Sequence, residues 1–557
     1  MLPTLVRRAP EVRAGVLGRP AVASLVLAVA YLAVALLGDP HAGLGSDSGG
    51  KLATARVMAE AGTIDPDVGY WAADADPDGR FHPLVNTERK GSAWVQATSI
   101  PYSILTAGLW SVAGPLGPVL LSIAGGVAAA LAARRMAARL GGDPDLAFWL
   151  VGLASPLAVY ATDAWEHAPA LGLTLWGLAI ALEAERPRSA ALAGALLGAA
   201  LVLRAEVGAV VLAFGVAVLA VTEVRRRWTS RPAQMAAAAL AGGLVLVANG
   251  VLERLVLADA VRTSRAGNGA ASAGSEPLQR LSDAVLTGVG LFADQSAAGL
   301  LLGGVMAVGL GMLGLRVAGS PLVTDRTARA ATVVVVALYA LRVLDGWSFV
   351  PGALAVAPVV VLAALAPRTA EVRVVLLTAV GAVPVVWATQ WTGNHVAQWG
   401  GRYLLPCTAL LVVLAAVTLS GPRGRGPLPR LLVVLTLVAS LSGLGWHVVR
   451  TDAVGGIAAA VAGLPEDTVV VSTDQHLGRD IGTVYGDRRW LATVPDALDE
   501  ALAVAEAAAP GTITVLGRPQ ADGTSVPLPD LDGYHLAEEG TIPTFGDDLE
   551  VRVLARD

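Results

Sequence analysis

The sequence predicts a polytopic α-helical membrane protein that carries a small α/β domain at its C-terminus. Three observations predict it. Of 557 residues, 54% are hydrophobic and only 15% charged, against about 25% charged in a soluble globular domain. The apolar residues gather into runs close to the roughly 20 residues that a bilayer-spanning helix needs. From residue 451 to 557 the composition turns acidic, with 19 Asp and Glu against 6 Arg and no Lys.

The runs place thirteen spans, near 20–38, 115–133, 145–161, 168–183, 189–204, 207–223, 234–252, 297–315, 330–344, 351–367, 373–388, 403–420 and 430–447. The connections between them alternate in kind. One set is basic: "RRMAAR", "EAERPRS", "EVRRRWTSRP", "LVTDRTARA", "APRTAEVR" and "GPRGRGPLPR". Short Arg-rich connections stay on the cytoplasmic side. The other set is long, acidic or Trp-rich: 39–114, 161–167, the turn at 205, 253–296, 345–350, 389–402 and the tail. The N-terminal "MLPTLVRRAPEVRAGVLGRP" brings four Arg ahead of the first run and no small-x-small cleavage motif behind it. The first run is therefore expected to stay as a helix with a cytoplasmic N-terminus. An odd number of spans puts the tail outside the membrane. Trp165, Trp347, Trp387, Trp391, Trp399 and Trp446 all fall at exoplasmic span ends, where aromatic belts form, or they pack between helices.

Residues 1–450 thus read as a transmembrane domain with the long exoplasmic loop 39–114, and 451–557 as a soluble exoplasmic domain. In that domain "DTVVVSTD" and "TITVLGR" read as strands, and "PDALDEALAVAEAAAPG" as an amphipathic helix between them. It carries no catalytic signature, which favours a structural or acceptor-positioning cap. Arg far outnumbers Lys, of which there are only Lys51 and Lys90. With so much Ala, Gly, Val and Leu, this is the composition of a high-GC bacterial genome, and the expected location is a bacterial plasma membrane. A net charge of −5 without a basic patch argues against a nucleic-acid partner. The single cysteine, Cys407, excludes disulfides and a Cys-based metal site.

Ionisable groups next to membrane spans are costly and usually functional, and here they collect on one face. The first loop offers Asp47, Lys51 and Arg56 in "SDSGGKLATARVMAEAG". This segment suits a helix lying on the membrane plane, with Asp47 just before its N-terminus and both cations toward the headgroups. The alternative is a capping Asp with snorkelling cations. The turn "TDAWEHAPA" adds Asp163, Glu166 and His167, flanked by Trp165. "VLRAEVG" adds Arg204 and Glu206 with almost no loop, and "QWTGNHVAQWGGRYLLP" adds Gln398, Trp399 and Arg402. "DADPDGRF" imitates half a calcium loop, but Val85 stands where a bidentate Glu is needed, so a solvated acidic turn is expected.

These features resemble the GT-C superfamily of integral-membrane glycosyltransferases, especially the polyprenyl-phosphate-sugar transferases that include protein mannosyltransferases and aminoarabinose transferases. The early "SDSGGK" carboxylate, the acidic "TDAWEHAPA" turn and the "GGRYLLP" opening of a late helix carry the resemblance. It implies transfer of a sugar from a polyprenyl phosphate to an acceptor hydroxyl on a glycan, lipid or protein, at the exoplasmic face and with inversion. Asp47 would be the general base, with Glu166 its competitor and Asp163 orienting hydroxyls. Lys51, Arg204 and Arg402 would hold the donor phosphate. His167, Trp165, Trp399 and Gln398 would contact the sugar or acceptor, or simply pack. Some relatives use a divalent cation, but no clean ligand set stands here and none is expected. A transporter or lipid flippase is the alternative class, yet it calls for charges or broken helices at the bilayer midplane. A non-catalytic scaffold or sensor leaves the acidic turns and Arg402 unexplained. A polysaccharide polymerase or ligase would have its dominant exoplasmic loop late in the chain, whereas here it is the first.

Overall fold

The computed structural model describes residues 19–43, 45–96, 98–257, 277–291, 297–344, 352–389, 399–508, 510–520, 524–544 and 548–557. The protein is a multi-pass helical membrane protein with a C-terminal sheet domain. Among the described residues, eight helices are long and apolar enough to cross a bilayer. The pair Val207–Ala220 and Thr222–Thr229, bent by 99°, makes a ninth if counted as one span. The thirteen expected spans all coincide with helical segments, but several of these are short. His167–Glu183 and Pro187–Leu203 have 17 residues each. The expected span 145–161 is broken into Pro144–Leu153 and Leu157–Tyr160 around Pro156. The expected span 351–367 is a four-residue helix, Ala353–Val356, followed by a 3-10 segment, Pro358–Leu365. In both breaks a proline removes a donor and disfavours helix in the residue before it.

The first loop is more structured than the sequence suggested. It contains the expected helix, Ser46–Ala61, a hairpin of β1 (Thr87–Lys90) and β2 (Ala93–Gln96), and a further apolar helix, Ile100–Ala113. Asp47 lies inside the first turn of the loop helix rather than ahead of it. The Ser48 hydroxyl serves the helix start instead, accepting from Gly45 N–H at 3.2 Å and donating to Gly45 O at 2.8 Å.

The 36-residue helix Pro427–Ala462 runs about 54 Å at 1.5 Å per residue, well beyond the roughly 30 Å of hydrocarbon. Its last turns bury Val454, Ile457 and Val461 against Val470, Trp490 and Leu516 of the sheet domain. That sheet has the order β4-β3-β5-β7-β6, built from β3 (Thr468–Ser472), β4 (Arg489–Ala492), β5 (Thr512–Gly517), β6 (Tyr534–Ile542) and β7 (Leu549–Arg556). β3 pairs in parallel with β4 and β5, and β7 runs antiparallel to β5 and β6. The predicted amphipathic helix is Leu498–Ala507, and it buries Leu498, Ala501, Leu502 and Ala505. The first loop and this domain share one core, in which Ala53, Val68, Tyr70 and Trp94 pack with Val469, Leu491 and Val515. Both therefore sit at the same end of the helix bundle.

Candidate active site

Five chain segments converge at that end. The loop helix brings Asp47 and Lys51. The turn before helix His167–Glu183 brings Trp165 and Glu166. The tight turn between helices Pro187–Leu203 and Val207–Ala220 brings Arg204 and Glu206. The start of helix Leu405–Ser420 brings Arg402 and Tyr403. The sheet domain brings Arg479, on the short helix Leu477–Asp480.

Arg402 reaches the cluster because two glycines precede it. Gly400 and Gly401 adopt φ of 64° and 62°, a left-handed conformation that other residues resist. A Cβ on Gly401 would stand 2.4 Å from Thr287 O. The turn delivers Arg402 Nη1 to within 2.7 Å of Asp47 Oδ2, while its Nη2 donates to the Tyr403 hydroxyl at 3.0 Å.

Asp47 is held at both oxygens, since Arg479 Nη2 lies 2.9 Å from Oδ1. Glu166 is likewise shared: Lys51 Nζ stands 3.0 Å from Oε2 and Arg204 Nη1 3.2 Å from Oε1. Arg204 Nε in turn donates to Glu206 Oε1 at 2.7 Å. Among the described residues four cations thus face three carboxylates, leaving one net positive charge in a mostly buried cluster. The two candidate bases differ in access. The Asp47 side chain is 27% exposed and that of Glu166 only 4%.

Burial opposes charge on Asp47, yet Arg402, Arg479 and Lys51 together hold its carboxyl well below the usual carboxylate range. Burial also draws the Lys51 ammonium below its ordinary value, against the pull of Glu166 and Asp47.

An aromatic floor underlies the charges. Trp165 and His167 stack with Tyr160 at centroid distances of 5.3 and 4.9 Å. Arg402 and Lys51 lie 5.5 and 5.8 Å from the Trp165 ring. Trp165 Nε1 and both ring nitrogens of His167 are buried and have no hydrogen-bond partner among the described residues, which buried polar atoms rarely tolerate without a ligand or water to satisfy them.

The structure corrects several expectations. Lys51 and Arg56 do not face a headgroup layer. Lys51 is buried against Glu166, and Arg56 pairs with Asp487 of the sheet domain at 2.6 Å. Packing of the loop helix against the bundle and the sheet domain takes both cations out of water, and a cation so placed needs a carboxylate partner. Trp165, Trp399 and Trp446 are buried in the helix bundle rather than placed in a lipid belt. Trp399 stacks on Trp446 at 5.8 Å, and its carbonyl accepts from the Tyr160 hydroxyl at 2.6 Å. Asp163 is buried, accepts from Ala164 N–H at 2.8 Å and interacts with His447. Asp76 of the acidic loop is not solvated; its carboxylate accepts from the Tyr70 hydroxyl at 2.7 Å and Phe81 N–H at 2.8 Å. Gln398 lies outside the described residues. Among the described residues no group of three or more His, Cys, Asp or Glu is arranged to hold a metal ion.

Sequence reasoning missed Arg479 and gave Glu206 no role. Arg479 sits in an acidic domain without a catalytic signature, so only the Gly-rich "LGRDIGTVYG" around it hints at close packing.

No family model matches the sequence, and no curated protein matches it. Solved structures do match. The structure of ArnT from Cupriavidus metallidurans bound to undecaprenyl phosphate superposes with a TM-score of 0.52 at 14% identity, covering 96% of this chain and 98% of that one. The same protein in the apo state gives 0.48 at 14% identity over the same shares of the two chains. The oligosaccharyltransferase of Archaeoglobus fulgidus, in complex with Zn and sulfate, gives 0.46 at 14% identity over 88% of this chain and 67% of that one. The chain has the fold of the ArnT structure bound to undecaprenyl phosphate.

Proposed function

We propose that this protein is a membrane glycosyltransferase that moves a sugar from a polyprenyl-phosphate donor to an acceptor hydroxyl at the exoplasmic face. The observation that carries the reading is the buried cluster of Lys51, Arg204, Arg402 and Arg479 around Asp47 and Glu166, with its net positive charge. A lipid phosphate leaving group needs cations rather than a general acid, and the acceptor hydroxyl needs a carboxylate to take its proton. The cluster supplies both. The fold of ArnT, in its structure with undecaprenyl phosphate, supports the same donor class.

The geometry favours Asp47 over Glu166 as the base. Asp47 is reachable from outside the cluster, whereas Glu166 is sealed between Lys51 and Arg204 and fits the task of holding those cations in place. Among the described residues of the cluster the other carboxylates, Glu166 and Glu206, are tied to cations, which supports direct displacement with inversion at the anomeric carbon over a covalent intermediate. The acceptor oxygen forms the new glycosidic bond, the anomeric C–O bond to phosphate breaks with its electron pair on the phosphate, and Asp47 receives the hydroxyl proton. The unpartnered Trp165 and His167 nitrogens suit sugar hydroxyls. The partners are then a polyprenyl-phosphate sugar, a glycan, lipid or protein acceptor, and the surrounding membrane lipids, in a bacterial plasma membrane with the N-terminus cytoplasmic.

The test is incubation of the purified full-length chain with a panel of undecaprenyl-phosphate sugars and envelope acceptors, with mass-spectrometric detection of released undecaprenyl phosphate and product anomer. Release with inverted product supports the reading. Retention of configuration, or no release from any donor, contradicts it.

A further inference from the structure

We propose that Arg479, supplied by the C-terminal domain, is a positioning residue for the Asp47 carboxylate, so that the site is complete only when that domain is seated on the loop helix. The proposal rests on the reading of Asp47 as the acceptor base.

Three features build this contact. The first is the grip on the carboxylate. Arg479 takes Oδ1 at 2.9 Å while Arg402 takes Oδ2 at 2.7 Å. Two guanidiniums from different parts of the chain thereby stop the carboxylate rotating, and either alone would leave one oxygen unheld.

The second is the backbone seat. A Cβ on Gly49 would stand 1.8 Å from Arg479 O, and one on Gly482 would stand 1.9 Å from Gly49 O. A Cβ on Gly50 would lie 2.8 Å from Arg479 Nε. The loop helix and the Arg479 segment thus touch backbone to backbone, in a register that only glycine permits.

The third is the set of flanking ties. Arg56 pairs with Asp487 at 2.6 Å and also donates to Thr483 O. The Thr483 hydroxyl donates to His41 O at 2.5 Å.

Arg479 does not close on its own neighbour. Asp480 faces Arg450, with Nη2 and Oδ2 3.8 Å apart, which leaves the Arg479 guanidinium for Asp47. The Arg479 side chain is only 5% exposed, so it serves nothing on the outer surface. The charged groups facing Asp47 are Lys51 from its own helix, Arg402 from the late span and Arg479 from the sheet domain.

The experiment uses the full-length chain in detergent as wild type, Arg479→Gln and Arg479→Lys. Asp47 is labelled with a water-soluble carbodiimide and glycinamide, which react with the protonated carboxyl, and the Asp47 peptide is quantified by mass spectrometry across pH. Losing one of the cations around the carboxylate is expected to move half-labelling of Asp47 up by about one pH unit in Arg479→Gln, with Arg479→Lys falling between it and wild type. With a donor that the wild type uses, kcat of Arg479→Gln is expected to fall about tenfold while the donor KM stays within about twofold. Arg479→Lys should recover part of that loss. Unchanged labelling and unchanged kcat in a folded Arg479→Gln overturn the proposal. If that variant does not fold, wild-type labelling and kcat in Arg479→Lys overturn it. The labelling arm decides the matter even if the wild type transfers no sugar, an outcome that removes the transferase reading instead.

Discussion

Arg402 and Asp47 lie 355 positions apart in the chain, yet Arg402 Nη1 stands 2.7 Å from Asp47 Oδ2. The pair ties the last part of the helix bundle to the first loop, and it joins the best-placed carboxylate to a cation set suited to phosphate.

Because Arg402 is proposed to hold the donor phosphate, Arg402→Gln should weaken binding of undecaprenyl phosphate about tenfold. A charge-assisted hydrogen bond is worth about 1.5–3 kcal/mol, and about 1.4 kcal/mol is a factor of ten. Binding of the lipid to the detergent-solubilised chain, followed by native mass spectrometry, measures this. Arg423→Gln, on the opposite side of the membrane by the charge pattern, should bind as the wild type does.

Glu166 should prove to be a clamp rather than the base. Glu166→Gln leaves Lys51 buried without its paired carboxylate, while Arg204 keeps Glu206, a loss that costs about 3 kcal/mol or more. Its thermal unfolding midpoint in detergent should fall well below that of the wild type. A wild-type midpoint would argue against the clamp.

Gly49→Ala should disturb the junction between the loop helix and the C-terminal domain, since the new methyl would overlap Arg479 O. Overpacking of this kind costs about 2 kcal/mol. Limited proteolysis should release the C-terminal domain faster than in the wild type. Gly108→Ala, in helix Ile100–Ala113 with open space around it, should leave that rate unchanged.

The first-loop core should weaken in acid through His82. Its Nδ1 accepts from Leu84 N–H at 3.1 Å and its Nε2 contacts Gly69 O at 3.2 Å. Burial pushes the imidazole down to about 4, against about 6.5 in an unfolded chain. A depressed folded value means that the stability is present above about 6.5 and is lost as pH falls toward about 4. Asp480 works the other way. Burial, partly offset by Arg450, raises it to about 6, so its charging lowers stability as pH rises through that value. An Asp480→Asn background should therefore steepen the acid loss, and adding His82→Gln should flatten it, as read by tryptophan fluorescence melts across pH.

Much of this was legible because carboxylates and guanidiniums beside apolar spans are costly wherever they stand. Glu166, Arg204 and Arg402 each border such a run, Asp47 and Lys51 stand on the expected loop helix, and the structure brings all five together. The directions of their side chains were not legible. A Lys or Arg on an amphipathic loop helix reads equally as a headgroup contact or as a buried pair, and only the tertiary position of Glu166 and Asp487 decides for Lys51 and Arg56. Tryptophan at a span end is ambiguous in the same way, which is why Trp165 and Trp399 turned out to be core. Arg479 lay beyond sequence reasoning because its importance comes from a domain docking across more than 400 residues of chain.

The most direct test compares wild type with Asp47→Asn for release of undecaprenyl phosphate from an undecaprenyl-phosphate sugar in the presence of acceptor. If Asp47 takes the acceptor proton, the variant should bind undecaprenyl phosphate within a few-fold of wild type yet lose about a hundredfold or more in kcat. Wild-type turnover by Asp47→Asn would contradict the central claim.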